Sequence, residues 1–565
     1  MFTHLRNNPI LRIGTILTAA MLLFFITTVF AAAPQWQDEY TFAAVLWAAI
    51  PILLSLAAIF LPTSAAHGTT NPSTQSKKGQ GIAFPVFIFL AAFTLKLLVA
   101  LWAETQPVSD FLTMHTAAAD LSRGGFDHAQ PYWPYLLRWA YQTFFVMYEA
   151  AILAICPESF GLTPLLVANA LFMAGVNVFL YLLVRSCALT EKQTAERAAR
   201  VAALLYLFYP APYFLASVLT NQHVSLFFVL LGLWLLLNGK QNQSKRKMIS
   251  FILSGICMAV GNALRPDASL LFYAILGAAA LHLPSRIWEQ FAQRNKESRR
   301  WKALWTEARP IILSVCAYAA TGLLLSAAVS ISGLNPNGLR NMNPEWKFVI
   351  GLNADTGGIF SRPVYDRVFP TAPDDPNEFI FDLETSREVS RIIIREHLQT
   401  PKRDMANFLC EKTIRAWGFT DSTSWAFPES QTFLVPQESP MPQTSSAPQS
   451  TTTSHEETIK NNDRITPFGT TVEETTGIAR YAERIYFAAV CLLAAIGLFA
   501  MLGKKSLPTL AVICGLTLLL FFGTHIFIEV QTRYRYFAMP VLFILAGYAC
   551  HALPRNFLQK GLYKP

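Results

Sequence analysis

The sequence predicts an all-α polytopic membrane protein of about twelve transmembrane helices, with a small, mostly helical extracytoplasmic segment, and three observations lead there. The chain of 565 residues is 53% hydrophobic, 13% aromatic and only 14% charged, a balance that soluble domains seldom reach. Apolar runs of about twenty residues, the length that crosses a hydrocarbon core, recur along it. Lys and Arg gather in short loops that alternate with loops lacking them, so the formal charge of +9 reads as an orientation signal. The partner implied is the lipid bilayer, and no nucleic-acid partner is expected.

The expected spans are 13–33, 41–61, 82–103, 162–184, 199–219, 223–238, 249–264, 267–283, 310–332, 485–503, 507–529 and 536–552. The first lies between Arg6, Arg12 and an Ala31-Ala-Ala stretch that resembles a signal-peptidase site. Its apolar run is longer than a signal h-region, so it is read as a membrane helix. With the N-terminus in the cytoplasm, the basic loops all fall on that side: Lys77-Lys78, Arg185 to Arg200, Lys240 to Lys247, Arg286 to Arg309, Lys504-Lys505 and the tail from Arg555 to Lys564. The opposite connections 34–40 and 220–222 carry no Lys or Arg. Both termini are then cytoplasmic. The stretch 138–155 is short and holds Arg138 and Glu149, and counting it as a span would invert every later loop. It is expected to lie at the outer interface, with Trp139 and Tyr141 at headgroup depth.

The chain therefore divides into 1–81, two N-terminal spans and a cytoplasmic loop; 82–332, a membrane core holding the outer loop 104–161; 333–484, an extracytoplasmic segment; and 485–565, three C-terminal spans. In the third part, Thr385-x-x-Glu388 predicts a capping box for a helix carrying Val389, Ile392, Ile393 and Glu396. Thr400-Pro401 predicts an N-cap and N1 proline for another, running to about Trp417. Folded structure is expected to about residue 427. The stretch 436–463, rich in Pro, Gln, Ser and Thr, is expected to be a disordered tether. The eight cysteines are scattered, mostly inside apolar spans, with no CxxC pair; they read as small apolar packers.

On this topology the unusual polar groups converge on the outer face: Asp110 and its loop, Thr220-Asn-Gln-His223, Arg265-Pro-Asp267, and His525, Glu529, Gln531, Arg533 and Arg535. Polar groups in or beside a bilayer are costly to keep, so convergence from distant segments points to function. Each residue has a plainer role when read alone. Asp110 suits a helix cap, Arg265 an internal ion pair with Asp267, and Arg533 and Arg535 an interfacial anchor. Lys96 suits a snorkelling lysine, His115 a satisfied loop histidine, and Tyr132 and Trp133 an interfacial belt. His115 and His128 match no metal-ligand spacing, and no Walker loop or GxSxG elbow is present.

Several stretches, in order, resemble one family. They are Val108-Ser-Asp110-Phe with Ala117-Ala-Ala-Asp-Leu and Gly124; Tyr209-Pro with Leu219-Thr-Asn-Gln-His223; Leu264-Arg-Pro266; Pro344-Glu-Trp-Lys-Phe with Gly351-Leu-Asn; Trp417-Gly with Ser424-Trp-Ala; and Glu529-Val-Gln-Thr-Arg-Tyr-Arg-Tyr536. Together they resemble the GT-C glycosyltransferases, above all bacterial relatives of the family 39 dolichyl-phosphate-mannose–protein mannosyltransferases. The likeness spans about residues 85 to 550. It implies a GT-C fold in a bacterial plasma membrane and a polyprenyl-phosphate sugar donor. It also implies inverting transfer of mannose or a similar hexose or pentose on the outer face, to a hydroxyl of a glycan, lipid or protein. The family's catalytic base is an aspartate of the first outer loop, and Asp110 matches it. Those mannosyltransferases carry a second acid beside that aspartate, where this chain has Phe111, and two extra spans precede the loop here.

Under this reading Arg265, Arg533, Arg535 and Lys96 hold the donor phosphate, with a divalent cation as an optional cofactor and no metal-ligand set assigned. His115, Tyr132, Trp133, Gln222, His223, Trp346, Trp417 and Gln531 shape the substrate pocket. The alternative is a transporter or flippase of polyprenyl-linked saccharides, which predicts polar groups near the bilayer midplane on broken helices in matching halves. Here the polar groups crowd the outer ends, and no internal repeat is found.

Overall fold

A computed structural model describes residues 4–6, 9–33, 38–60, 82–103, 105–186, 192–238, 246–292, 297–370, 382–419, 472–504 and 506–552. The expected tether at 436–463, and the expected folded stretch from 420 to 427, lie outside the described residues.

The architecture is helical. In chain order come α1 (Pro9–Ala32), α2 (Asp38–Ala57), α3 (Ala83–Ala103), α4 (Ser109–Ser122), α5 (Tyr132–Arg138) and α6 (Thr143–Ile155). Then follow α7 (Thr163–Ser186), α8 (Lys192–Phe208), α9 (Ala211–Phe214), α10 (Gln222–Asn238), α11 (Arg246–Leu264), α12 (Ala268–Ala292) and α13 (Glu297–Ile331). The segment after residue 333 contributes α14 (Glu345–Gly351), α15 (Arg362–Val368), α16 (Leu383–Leu398) and α17 (Lys402–Gly418). The chain closes with α18 (Val472–Leu502), α19 (Thr509–Phe527) and α20 (Met539–Gly547).

Among the described residues, seven helices are long and apolar enough to cross a membrane: α1, α3, α7, α19, and the apolar parts of α2, α13 and α18. Five shorter apolar helices accompany them: Ala140–Ile155, Gln222–Asn238, Met248–Leu264, Ala268–His282 and Met539–Ala552. The large apolar side chains left outward on α1, α2, α3 and α13, such as Phe30, Phe42, Leu98 and Leu323, are what a lipid-facing surface requires. This is a multi-pass helical membrane protein.

Three local expectations need correction. The span expected at 199–219 is broken: α8 begins in polar sequence at Lys192 and stops at Phe208, and only the single turn α9 follows. Pro210 and Pro212 lack the N–H groups that would continue the helix. The cap of α16 is Asp382, not Thr385: its carboxylate accepts from the Glu384 backbone N–H at 3.0 Å, so the helix starts a turn earlier than the Thr385 box implied. Pro401, in extended conformation, is itself the N-cap of α17, one position later than Thr400. A short antiparallel ribbon was also unforeseen. β1 (His4–Arg6) pairs with β2 (Ser506–Pro508) in the register Leu5 to Leu507, joining the N-terminus to the α18–α19 connection.

The membrane helices share one large apolar core, and the segment after 333 has its own small one: Trp346, Val349, Ile350, Val368, Phe369 and Ile393. Two contacts fix that segment to the bundle. The Trp417 ring of α17 stacks on Phe25 of α1 at 3.8 Å and 11°, and a Cβ at Gly418 would stand 2.4 Å from the Thr28 carbonyl, so this approach needs glycine. Lys412 of α17 donates to Gly351 O, Ile526 O and Ile528 O at 2.5, 3.0 and 2.7 Å, closing the C-terminal ends of α14 and α19 together. Burial, only partly offset by Glu529, pulls this amine down to about 7. Three accepting carbonyls, however, use three N–H donors, a number only the ammonium carries, so geometry favours the charged form.

A buried ion pair locks the last turn. Arg535 donates through Nη2 to both oxygens of Glu483 at 2.7 and 2.8 Å and through Nη1 to Trp417 O at 2.8 Å, and Tyr209 also donates to Glu483. Arg535→Met would leave a buried carboxylate without its cation, and about 3–5 kcal/mol of stability should be lost. Adding Glu483→Gln should recover most of that loss. Thermal unfolding midpoints of the single and double variants in detergent check this: equal midpoints for wild type and Arg535→Met would refute the pairing.

Candidate functional site

The outer loop turns into α4 at Ser109, which has φ of 51°. It is the one non-glycine residue in the left-handed region among the described residues, a conformation that costs roughly 1–3 kcal/mol. The strain aims the next residue, Asp110, which sits exposed in the first turn of α4. The helix ends where Gly124, at φ 74°, takes the position after the cap that a side chain would resist. Around Asp110 stand groups from three distant segments. Although its surface meets solvent, protein crowds its other sides and raises its carboxyl above the usual aspartate range. Arg533 and Lys347 pull it back, and Glu529 adds to the rise. Burial raises the phenols of Tyr135 and Tyr141, and Asp110 raises both further.

Tyr534 is the hub of the cations. The guanidiniums of Arg265 and Arg533 lie 5.4 and 5.8 Å from its ring centre, and the Lys347 ammonium 6.0 Å. Each arrives from a separate part of the chain, and an electron-rich ring face gives the three a shared neighbour. Arg533 also lies 5.2 Å over the Phe111 ring, which places it beside the Asp110 turn. Lys347 pairs with Glu529, whose other oxygen accepts from Gln531 Nε2 at 3.0 Å. Burial works against the Lys347 charge, yet its surroundings, led by Glu529, together hold the amine above its usual range. Burial likewise opposes the Glu529 charge, and Lys347 holds that carboxyl below its usual range. Arg265 is held by Asp267 at 2.7 Å and Asn221 at 3.0 Å.

The structure brings together Asp110, Arg265, Arg533 and Gln531 from the residues the sequence singled out, and adds Lys347 and Tyr534. Gln222 and His223 lie just behind: Gln222 Nε2 donates to Arg533 O at 3.1 Å, and His223 bridges Tyr536 OH at 3.0 Å and Leu215 O at 2.8 Å. The other assigned residues are elsewhere. Arg535 is spent on Glu483 and faces away from Arg533, because Thr532–Phe537 is a 3-10 turn. At three residues per turn, positions two apart diverge instead of sharing a face.

Lys96 is fully buried among Asn177, to which it donates at 2.6 Å, and the rings of Tyr206 and Tyr213. It does not snorkel. Trp417 packs on Phe25, and Trp346 on Phe369 and Tyr365, as core rings. Tyr132 is buried against Phe126, with its hydroxyl accepting from Asp127 N at 3.0 Å, and Trp133 stacks on His128 at 4.0 Å. His115 faces Glu149 of α6 at 3.5 Å. The contacts of Tyr132, Trp133 and His115 help to build the outer loop's own scaffold.

Among the described residues no three or more His, Cys, Asp or Glu side chains are grouped to hold a metal ion, and the position beside Asp110 is Phe111. Lys347 was missed because a lone lysine in Glu345-Trp-Lys-Phe shows no pairing in the sequence. Its partner Glu529 is 182 positions away. Tyr534, standing between the two arginines, drew no role of its own from the sequence.

The fold and this site define a multi-pass helical membrane protein with a charged cluster gathered around one accessible carboxylate. No protein-family model, curated protein or solved structure matches the chain.

The depressed Glu529 carboxyl contributes stability above the ordinary glutamate range, near about 4.3, and that contribution is lost as pH falls through its lower folded value. Glu529→Gln should therefore lose roughly 1–3 kcal/mol at neutral pH, at the low end because Lys347 is partly exposed. The deficit should shrink on acidification below about pH 4. Unfolding midpoints of both proteins across that range measure it; a pH-independent difference would contradict the pairing.

Proposed function

We propose that the protein is a membrane glycosyltransferase of the GT-C type. It moves a sugar from a polyprenyl-phosphate donor to an acceptor hydroxyl at the outer face of a plasma membrane, with inversion, and Asp110 is its base. The observation that carries this reading is the Asp110 carboxyl: solvent-accessible, raised above its usual range, and acted on by Arg533 and Lys347. A raised carboxyl is a better proton acceptor than an ordinary aspartate. The outer-loop resemblance supplies the reaction class.

In the transfer, the acceptor oxygen attacks the anomeric carbon and Asp110 takes its proton. The bond from that carbon to the phosphate oxygen breaks, and polyprenyl phosphate leaves with an added negative charge. Positioned base catalysis contributes roughly 10²–10⁴-fold. Fixed cations that meet the growing charge lower the barrier further. Arg533 and Arg265 fill that role, with Lys347 beside them, in place of Arg535 and Lys96. The Tyr534 ring keeps the cations close without neutralising them. A donor with a lipid tail accounts for a transferase built among membrane helices.

The test uses purified protein in lipid with radiolabelled polyprenyl-phospho-sugars and an acceptor extract. Wild type should move label to acceptor, and Asp110→Asn should fold normally and lose at least about 10²-fold in rate. Full transfer by that variant would remove Asp110 as the base. Movement of the lipid between leaflets without transfer would favour a transporter. The acid limb of the wild-type rate should lie above the ordinary aspartate value near about 3.9, since the carboxyl must lose its proton before it can act. Arg533→Gln should cost about 10²–10³-fold in kcat.

A further inference from the structure

Arg265 differs from the other cations of the site in how completely its orientation is determined. Its Nε donates to Asp267 Oδ2 at 2.7 Å and its Nη1 to Asn221 Oδ1 at 3.0 Å. Two acceptors on different nitrogens fix the plane of a guanidinium, where one would leave it free to rotate. Asn221 is itself oriented: its Nδ2 donates to Gln142 Oε1 at 3.1 Å and to Leu264 O at 2.9 Å, so its oxygen must face Arg265. Asn221 is buried, and it lies in the turn before α10, while Arg265 and Asp267 form the turn after α11. The Gln142 contact adds the loop that carries Asp110. The remaining Arg265 donors have no hydrogen-bond partner among the described residues, its side chain is 15% exposed, and its guanidinium faces the Tyr534 ring. A guanidinium carries five N–H donors in a rigid fork, and those left over suit phosphate oxygens.

We propose that Asn221 and Asp267 are positioning residues that hold Arg265 in the orientation that grips the phosphate of the lipid-linked donor. The proposal rests on the glycosyltransferase reading for the identity of the donor. Its test reads phosphate binding, so the two fail separately. Asn221 touches no substrate. It acts through Arg265, by keeping the guanidinium plane aligned before the phosphate arrives, which lowers the ordering cost of binding.

The probe is farnesyl phosphate, with farnesol as the uncharged control, titrated against the full chain in detergent micelles. Wild type should bind farnesyl phosphate more tightly than farnesol. Asn221→Leu should weaken farnesyl phosphate by about tenfold or more, as expected for a lost hydrogen bond to a charged group, and leave farnesol unchanged. In an Arg265→Leu background the same substitution should add no further loss, because its effect passes through the missing guanidinium. If Asn221→Leu does not fold, Asp267→Ala removes the other acceptor and goes through the same cycle.

A wild type that does not distinguish the two ligands would overturn the proposal. So would equal loss of farnesol binding, or additive losses in the double variant. Retained, Arg265-dependent phosphate binding in a protein that transfers no sugar would keep the positioning role and remove the glycosyltransferase reading.

Discussion

The bidentate contact between Arg535 and Glu483 underlies the geometry of the site. Both groups are buried, Glu483 completely, so neither charge is tolerable without the other. The contact joins the Thr532–Phe537 turn to α18, and through Trp417 O to the end of α17. With one face of that turn anchored, Arg533 and Tyr534 are presented on another. Tyr534 in turn supplies the ring that Arg265, Lys347 and Arg533 share. An arginine that looked like a ligand-binding group is the post on which the cation cluster hangs.

The site follows an arrangement of paired opposites. Arg265 has Asp267, Lys347 has Glu529, and Arg533 acts on Asp110. Three cations near one another would repel and destabilise the fold unless each were matched, and a lone buried charge costs several kcal/mol. Among these carboxylates only Asp110 is exposed. The two inner pairs stabilise the cluster, and the accessible aspartate stands beside it. Strain at Ser109 is consistent with that division, since the backbone is distorted where the accessible group is aimed.

The segment after residue 333 is part of the site and not an appendage to it. Lys347 comes from α14 and reaches Glu529 at the end of α19, while Lys412 of α17 closes the C-terminal ends of both helices. Removing that segment would take a cation from the cluster and leave helix-end carbonyls without donors. The two tryptophans expected in a pocket are internal for different reasons: Trp346 fills this segment's own small core, while Trp417 packs into the core of the membrane helices against Phe25.

Composition, apolar runs and loop charge were enough to identify a helical multi-pass membrane protein, because the hydrocarbon thickness sets span length and backbone satisfaction demands helices. Asp110 stood out for the same reason: an acid at the end of an apolar run is conspicuous. Sequence periodicity failed where chain geometry departs from the regular helix. Pro210 broke an expected span, and the 3-10 turn sent Arg533 and Arg535 in different directions.

Which polar groups meet was decided by tertiary structure alone. Lys347 with Glu529 and Arg265 with Asn221 join positions 182 and 44 residues apart. No local pattern encodes such distances. Side-chain identity determines what a group can do, but only folding determines which partner occupies it and which donors remain.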